Sequence, residues 1–268
     1  SLVISVSQSG ETADTLAVLR ECKRKGAKTL AVTNVVGSTI SREADHVIYT
    51  MAGPEIAVAS TKAYTTQLIV MYALGLYFGE LRGTLDKNIE ELIIEGLLEV
   101  PEKIEDLLKN ESQIQEVAKT ISSAKDLFFL GRGIDYSLAL EGSLKLKEIT
   151  YIHSEAYAGG ELKHGPIALI EEGTKVIALL TQEQLRDKMV SNVVEVKARG
   201  AYVIGVAYEG DKLDPSVFDK VIYIPRISNR VAPIVAAVAL QLLAYYTAKE
   251  KGYDIDKPRN LAKSVTVE

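Results

Sequence analysis

Glu141, Lys145 and Glu148 recur at i, i+4 and i+7, so a helix running through them carries all three on one stripe. A ladder of exposed ion pairs would use the same spacing, but the neighbours argue against it. Leu140 and Leu144 flank the stripe on one side, Leu138 and Ile149 on the other, and Ser143 and Lys147 are left to mark the exterior. Charges set between apolar shoulders must line a polar cleft, because burying an unpaired charge costs several kcal/mol. A carboxylate in such a cleft is a candidate general base. Moving a proton between adjacent carbons of a sugar needs one group that takes it from the first carbon and returns it to the second. Glu148 is that candidate, with Lys145 and Glu141 beside it.

A second group of residues suits an anion. Ser7-Gln8-Ser9-Gly10-Glu11-Thr12 joins an apolar run to a helical pattern. A helix start presents unpaired N–H groups and the positive end of a dipole. The hydroxyls of Ser7, Ser9 and Thr12 can donate to phosphate oxygens, Gln8 adds an amide, and Gly10 lets the backbone come close. No lysine lies in the loop, which separates it from triphosphate-binding loops and suits a sugar monophosphate. A plain helix cap would need one hydroxyl, not three.

Two further candidates stand alone. His164, between Lys163 and Gly165-Pro166, lies among turn residues and should be reachable on a loop. Most lone histidines do no chemistry, and spacing alone leaves its role open. The tail from Asp256 lacks periodicity, so a disordered terminus is the default. Yet Pro258-Arg259-Asn260 can fix a turn, and the last residues alternate apolar and polar. A tail fixed in this way could lay Lys263 over a cleft, where a lysine amine can form a Schiff base with a ketone.

The elements that must position these groups alternate. Apolar runs at residues 2–6, 29–33, 46–50, 127–130, 176–180, 202–206 and 221–224 read as strands. Helical patterns cover 12–25, 60–77, 86–109, 135–149, 183–198 and 230–249. Fully apolar strands alternating with helices give an α/β protein with parallel sheets covered by helices. The pattern also repeats. Gly26-Ala27 recurs as Gly200-Ala201, Asp45-His46-Val47-Ile48-Tyr49 as Asp219-Lys220-Val221-Ile222-Tyr223, and Gln67-Leu68 as Gln241-Leu242, all at one offset of 174 residues. Two copies of one unit follow. About 60 residues precede the matching strand in the second copy and none in the first, so the first is expected to lack its opening elements. The same offset puts Thr181-Gln182-Glu183 where the first copy has Ser7-Gln8-Ser9. An acid there repels phosphate, which predicts one phosphate site per chain. The expected division is residues 1–110 for the first unit with a connector helix, 111–250 for the second, and 251–268 for a tail that belongs to the active site.

Composition narrows the class. The chain has 268 residues, 47% hydrophobic and 25% charged, with a formal net charge of -5, the profile of a globular protein without the basic patch that nucleic acid would demand. The single cysteine, Cys22, excludes an intrachain disulfide framework and is read as packing on a short helix. The apolar stretch at 65–81 contains Gln67 and Glu80 and is short for a membrane span, so it reads as a buried helix. No signal peptide is visible, and a cytoplasmic location without membrane attachment is expected.

Taken together, Ser-Gln-Ser-Gly-Glu-Thr at 7–12, Val-Ala-Ser-Thr-Lys-Ala at 58–63, Leu-Glu-Gly-Ser-Leu-Lys-Leu-Lys-Glu-Ile at 140–149, Gly-Glu-Leu-Lys-His-Gly-Pro at 160–166 and Pro-Arg-Asn-Leu-Ala-Lys-Ser-Val-Thr-Val-Glu at 258–268 resemble the sugar-isomerase (SIS) half of the glucosamine-6-phosphate synthase family. The histidine loop and the tail are specific to that family, whereas the Ser-Gln-Ser loop alone marks only the wider SIS fold. The resemblance implies two SIS-type units and a dimer. It implies that Ser7, Gln8, Ser9 and Thr12 hold the phosphate of a hexose 6-phosphate, and that Val58, Ser60, Ala262 and Lys263 line the sugar. It further implies that Glu148 shuttles the proton between C1 and C2, and that Lys263 forms the Schiff base. His164 would open the fructose ring from the partner subunit, and Lys145 and Glu141 would be supporting charges. No cofactor or metal is expected. The family also carries a glutaminase domain that supplies ammonia, which this sequence does not contain. A non-catalytic sugar-phosphate sensor is the competing reading, and an inert fragment of a larger enzyme is a third.

Overall fold

The computed structural model describes residues 1–265 and resolves into two compact units. The first comprises Ser1–Asp86 together with the tail from Arg259, and the second Lys87–Pro258.

The first unit is a parallel sheet in the order β1 (Leu2–Ser7), β2 (Lys28–Thr33), β3 (His46–Tyr49). Its register runs from Leu2 opposite Lys28 to Ser7 opposite Thr33, and from Leu30 opposite His46 to Thr33 opposite Tyr49. Helix α1 (Ala13–Arg24) buries Leu16 and Leu19 against Ala31 and Ile40, the latter in the short helix α2 (Thr39–Glu43). Cys22 is partly buried and unpaired in any disulfide. The other side of the sheet is less covered. Leu2, Ile4 and Val6 of β1 remain 46%, 39% and 41% exposed. Helix α3 (Lys62–Leu81) and the sheet line an open apolar pocket of about 520 Å³ that includes Leu2, Leu30, Ile48, Leu74 and Phe78.

The second unit opens with α4 (Lys87–Lys109) and α5 (Ser112–Ile121). It continues through β4 (Asp126–Gly131), α6 (Ile134–Thr150), β5 (His153–Ala158), β6 (Lys175–Leu179), α7 (Arg186–Lys197), β7 (Tyr202–Tyr208), β8 (Lys220–Ile224) and α8 (Ala232–Glu250). Its five strands pair in parallel in the order β5-β4-β6-β7-β8. Runs such as Val176–Leu179 and Val203–Tyr208 are buried throughout, as a sheet covered on both faces requires.

The repeat is visible in bonds as well as in order. Lys23 lies 3.4 Å from Asp45, whose carboxylate accepts the Thr29 N–H at 2.8 Å. At the same offset, Lys197 lies 2.6 Å from Asp219, whose carboxylate accepts the Val203 N–H at 2.7 Å. Each acid thus clips the start of one strand to the start of the next. The copies differ as expected. β6 is paired on both sides, by β4 and β7, whereas its counterpart β1 is paired only with β2.

Three expectations change. The apolar stretch at 65–81 is helical but not buried. Only Ala63 of α3 is fully covered, whereas twelve residues of its counterpart α8 are. The difference lies in the neighbours, since α8 packs on α5 and α6, and among the described residues no such pair of helices packs on α3. The connector helix 87–109 belongs with the second unit, so the division falls at 86 rather than 110. Gly96 of α4 lies so close to α8's entry that an added Cβ would sit 2.7 Å from Val231, and Val100 and Leu107 are buried. The expected tail 251–268 is divided, its part up to Pro258 grouping with the second unit and its part from Arg259 with the first. The edge strand β5 was not among the strands read from sequence, because HSEAYA is too polar to announce a strand that has one neighbour. The short α2 and α5 also lay outside the sequence reading.

Candidate active site

In the first unit, the Ser7–Thr12 loop is held from within and from both sides. The Ser7 hydroxyl accepts the Gly10 N–H at 3.0 Å and lies 3.3 Å from the Thr12 hydroxyl. The Ser9 hydroxyl accepts the Glu11 N–H at 3.2 Å. Behind the loop, the Asn34 N–H donates to the Gln8 carbonyl and the Ile40 N–H to the Gly10 carbonyl. The Thr39 N–H donates to Glu11 at 2.7 Å and holds that carboxyl below its ordinary pKa. Gly10 has a φ of +69°, and a Cβ there would sit 2.2 Å from Ser38 Oγ, so both conformation and space require glycine. The hydroxyls gather at the entry to α1, where Thr12 is the cap residue and bonds no helical N–H with its side chain.

The tail reaches the same loop. Ser264 Oγ lies 3.1 Å from Ser9 Oγ, and the Val265 carbonyl accepts the Ala13 N–H at the first turn of α1. One residue earlier, the Lys263 amine donates to the Ala57 carbonyl at 2.5 Å and to Ser60 Oγ at 3.0 Å. Val58 and Ser60 therefore stand in the segment that receives the lysine, and both are partly buried, whereas Ala262 is exposed. That segment is braced by Glu55, whose carboxylate accepts the Thr61 and Ala63 N–H groups at 3.1 and 2.9 Å where α3 begins. Residues 266–268, the end of the alternating tail, lie outside the described residues.

In the second unit, α6 carries the charged stripe at the margin of its buried face. Lys145 lies 2.6 Å from Glu148 Oε2 and 3.7 Å from Glu141 Oε1. The three side chains are 8%, 21% and 13% exposed in that order. Burial raises the pKa of Glu141, against the opposing pull of Lys145. Of the two residues expected on the outer face, Lys147 is exposed and Ser143 is not. Ser143 is buried and donates to the Ser154 carbonyl at 3.0 Å, tying α6 to β5. Leu140 and Leu144, read as shoulders of the cleft, are 47% and 43% exposed. The wheel fixes which residues share a face, but only packing decides which face meets the sheet. His164 is exposed at the end of a 3-10 turn, Leu162–His164, that is anchored by the buried Leu162, and it makes no hydrogen bond or ion pair with the stripe among the described residues.

At the second copy's loop stands a buried acid that the sequence reading missed. Asp135, in the first turn of α6 and 1% exposed, accepts the Thr181 N–H at 2.9 Å and the Thr181 hydroxyl. Burial raises its pKa, and the Thr181 bonds oppose that shift. A carboxylate of the chain itself thus occupies donors at the position matching Ser7. Glu183, to which the exclusion of phosphate was assigned, points elsewhere, pairing with Arg226 at 3.0 Å. The only signal was an acid just after the Gly131-Arg132-Gly133 turn.

Two parallel-sheet α/β units, the first with a hydroxyl-rich loop at a helix entry, place the chain in the SIS domain family, whose model matches residues 1–77 and 120–250. Within that family it is 62% identical over 272 residues to the glutamine--fructose-6-phosphate aminotransferase [isomerizing] of Clostridium perfringens, covering 100% of this chain and 44% of that protein. It is similar to the solved C-terminal domain of glucosamine-fructose-6-phosphate aminotransferase from Francisella tularensis, with 40% identity and a TM-score of 0.90, covering 96% of this chain and 73% of that one. A putative phosphosugar isomerase from Silicibacter pomeroyi superposes with a TM-score of 0.79 at 28% identity, covering 95% and 73%. The chain spans less than half the length of the curated relatives it matches.

Proposed function

We propose that this chain is the sugar-phosphate isomerase part of a glutamine–fructose-6-phosphate aminotransferase, converting fructose 6-phosphate and ammonia to glucosamine 6-phosphate and water. The observation that carries the reading is the tail: it brings the Lys263 amine to Ser60 while the next residue touches the Ser7–Thr12 loop. A hexose 6-phosphate joins its phosphate to its ketone by a short carbon chain, so an anion site and an amine linked by one peptide unit suit it.

In this reading Ser7, Gln8, Ser9 and Thr12 bind the phosphate, and Val58, Ser60 and Ala262 line the sugar. His164 opens the ring. The Lys263 amine attacks C2 and water leaves, giving a Schiff base. Ammonia displaces the lysine. Glu148 then takes a proton from C1 and returns it to C2 while the proton of the C1 hydroxyl passes to the imine nitrogen, leaving the aldehyde of the amino sugar. Lys145 steadies the charge on Glu148, and Glu141 supports both. The name of the relatives supports glutamine as the ammonia source, released by a glutaminase domain of the parent polypeptide. The exposed Leu140 and Leu144 on α6 and Leu169 beside the His164 turn support a homodimer that shares His164 across its interface. The single cysteine and the burial of most of α8 support a cytoplasmic location; α8 is the one helix among the described residues long and apolar enough to cross a membrane.

The test is the conversion of fructose 6-phosphate to glucose 6-phosphate, with and without ammonia, by the chain as it occurs in its natural polypeptide. Turnover lost in Lys263→Ala and Glu148→Gln supports the reading. Phosphate-dependent binding without turnover in the unmodified protein makes it a non-catalytic SIS module instead.

A further inference from the structure

We infer that Ser264 is a positioning residue that couples occupancy of the phosphate loop to the reactivity of Lys263; this rests on the functional reading above. Ser9 sits at the junction of two networks. Its hydroxyl accepts the Glu11 N–H from within the loop and lies 3.1 Å from the Ser264 hydroxyl of the tail. Each hydroxyl has one proton to donate. Without an anion, that proton can point either way between the two serines. An anion at the loop takes the Ser9 proton, and Ser264 must then be the donor. A directed chain results, from Ser264 through Ser9 to the phosphate oxygen, in which each bond polarises the next.

The tail is also fixed by the Val265 carbonyl on the Ala13 N–H. That bond and the Ser264 bond both lie within two residues of Lys263, whose amine reaches Ala57 and Ser60. A backbone held on the C-terminal side of Lys263 limits where its side chain can reach, and a phosphate that tightens the Ser264 bond holds the amine in its reactive position. Coupling of this kind is reciprocal, so a ketone engaged at Lys263 tightens phosphate binding by the same factor.

The experiment divides the substrate into its two parts, using the chain within its natural polypeptide. Ketimine formed at Lys263 is trapped with cyanoborohydride, which delivers hydride to the C=N bond, and is located by mass spectrometry. The probes are fructose 6-phosphate, fructose alone, and fructose with inorganic phosphate. In the unmodified protein, inorganic phosphate should accelerate trapping of fructose about five- to twentyfold. Ser264→Ala should lose most of that acceleration while still binding inorganic phosphate by calorimetry, and Ser264→Thr, which keeps the hydroxyl, should restore it. An acceleration in Ser264→Ala equal to that of the unmodified protein, or none in the unmodified protein, overturns the coupling alone. Absence of a Lys263 adduct with fructose 6-phosphate itself overturns the functional reading and the coupling with it. A thermal unfolding curve of each variant separates loss of coupling from loss of fold.

Discussion

Lys263 and Ser60 are 203 residues apart in the chain, and the amine of one donates to the hydroxyl of the other at 3.0 Å. The bond places an amine at the start of α3, and in the proposed function Ser60 holds that amine as well as lining the sugar. Ser60→Ala removes an acceptor from a charged donor, worth about 1.5–3 kcal/mol. Aminotransfer measured as kcat/KM should fall about tenfold to a hundredfold, with Lys263 still modified by a trapped ketose at a reduced rate. An unchanged kcat/KM would show that the Ala57 carbonyl alone suffices to hold the amine.

Glu148 is expected to carry the proton transfer. Replacing it with Gln keeps the shape and removes the base, so isomerisation of fructose 6-phosphate should slow by about 10²–10⁴-fold. Exchange of the C1 proton with deuterated solvent should fall in parallel, while Schiff-base trapping at Lys263 should persist. Exchange that survives in Glu148→Gln would move the base to another residue.

Gly10 tests the loop's geometry. An alanine would have to hold a positive φ and clear Ser38 Oγ, which its Cβ would approach to 2.2 Å. The left-handed backbone alone costs about 1–2 kcal/mol. Gly10→Ala should therefore lower stability in urea by at least that much and weaken inorganic phosphate binding in calorimetry.

Asp135 should matter for stability more than for chemistry. Asp135→Ala leaves a buried Thr181 N–H and hydroxyl without their acceptor. The cost should be about 2–3 kcal/mol in denaturant unfolding. Asp135→Asn keeps an acceptor and should lose less. Equal losses in the two variants would argue against the hydrogen bonds as the cause.

Glu141 gives a pH dependence whose sign follows from burial. Its carboxyl binds a proton more readily in the folded chain than at the ordinary value of 4.5. Folding is therefore penalised as pH rises from that ordinary value through the raised one; the penalty is absent below this window and full above it. Glu141→Gln removes the group, so its stability relative to the unmodified protein should increase across the window and then level off. Urea unfolding at a series of pH values reads this directly, and a difference that stays flat with pH would exclude the effect.

The sequence by itself determined the alternation of strands and helices, the doubling at an offset of 174 residues, the hydroxyl-rich loop and the charged stripe. These are local: a strand or helix pattern depends on near neighbours, and a repeat keeps its register without reference to space. Only the tertiary structure decided which faces are covered. α3 and α8 are equally apolar, and α8 alone is buried because α5 and α6 lie against it. Ser143 turned inward and Leu140 outward for the same reason: rotation of a helix about its axis is set by its partner and not by its own periodicity. The residue pattern specified neither the Lys263–Ser60 nor the Ser264–Ser9 bond, since nothing in either segment names a partner so distant in sequence, and only the family resemblance set Lys263 and Ser60 at one site. Such pairings form only when the packed unit brings the tail back over the loop.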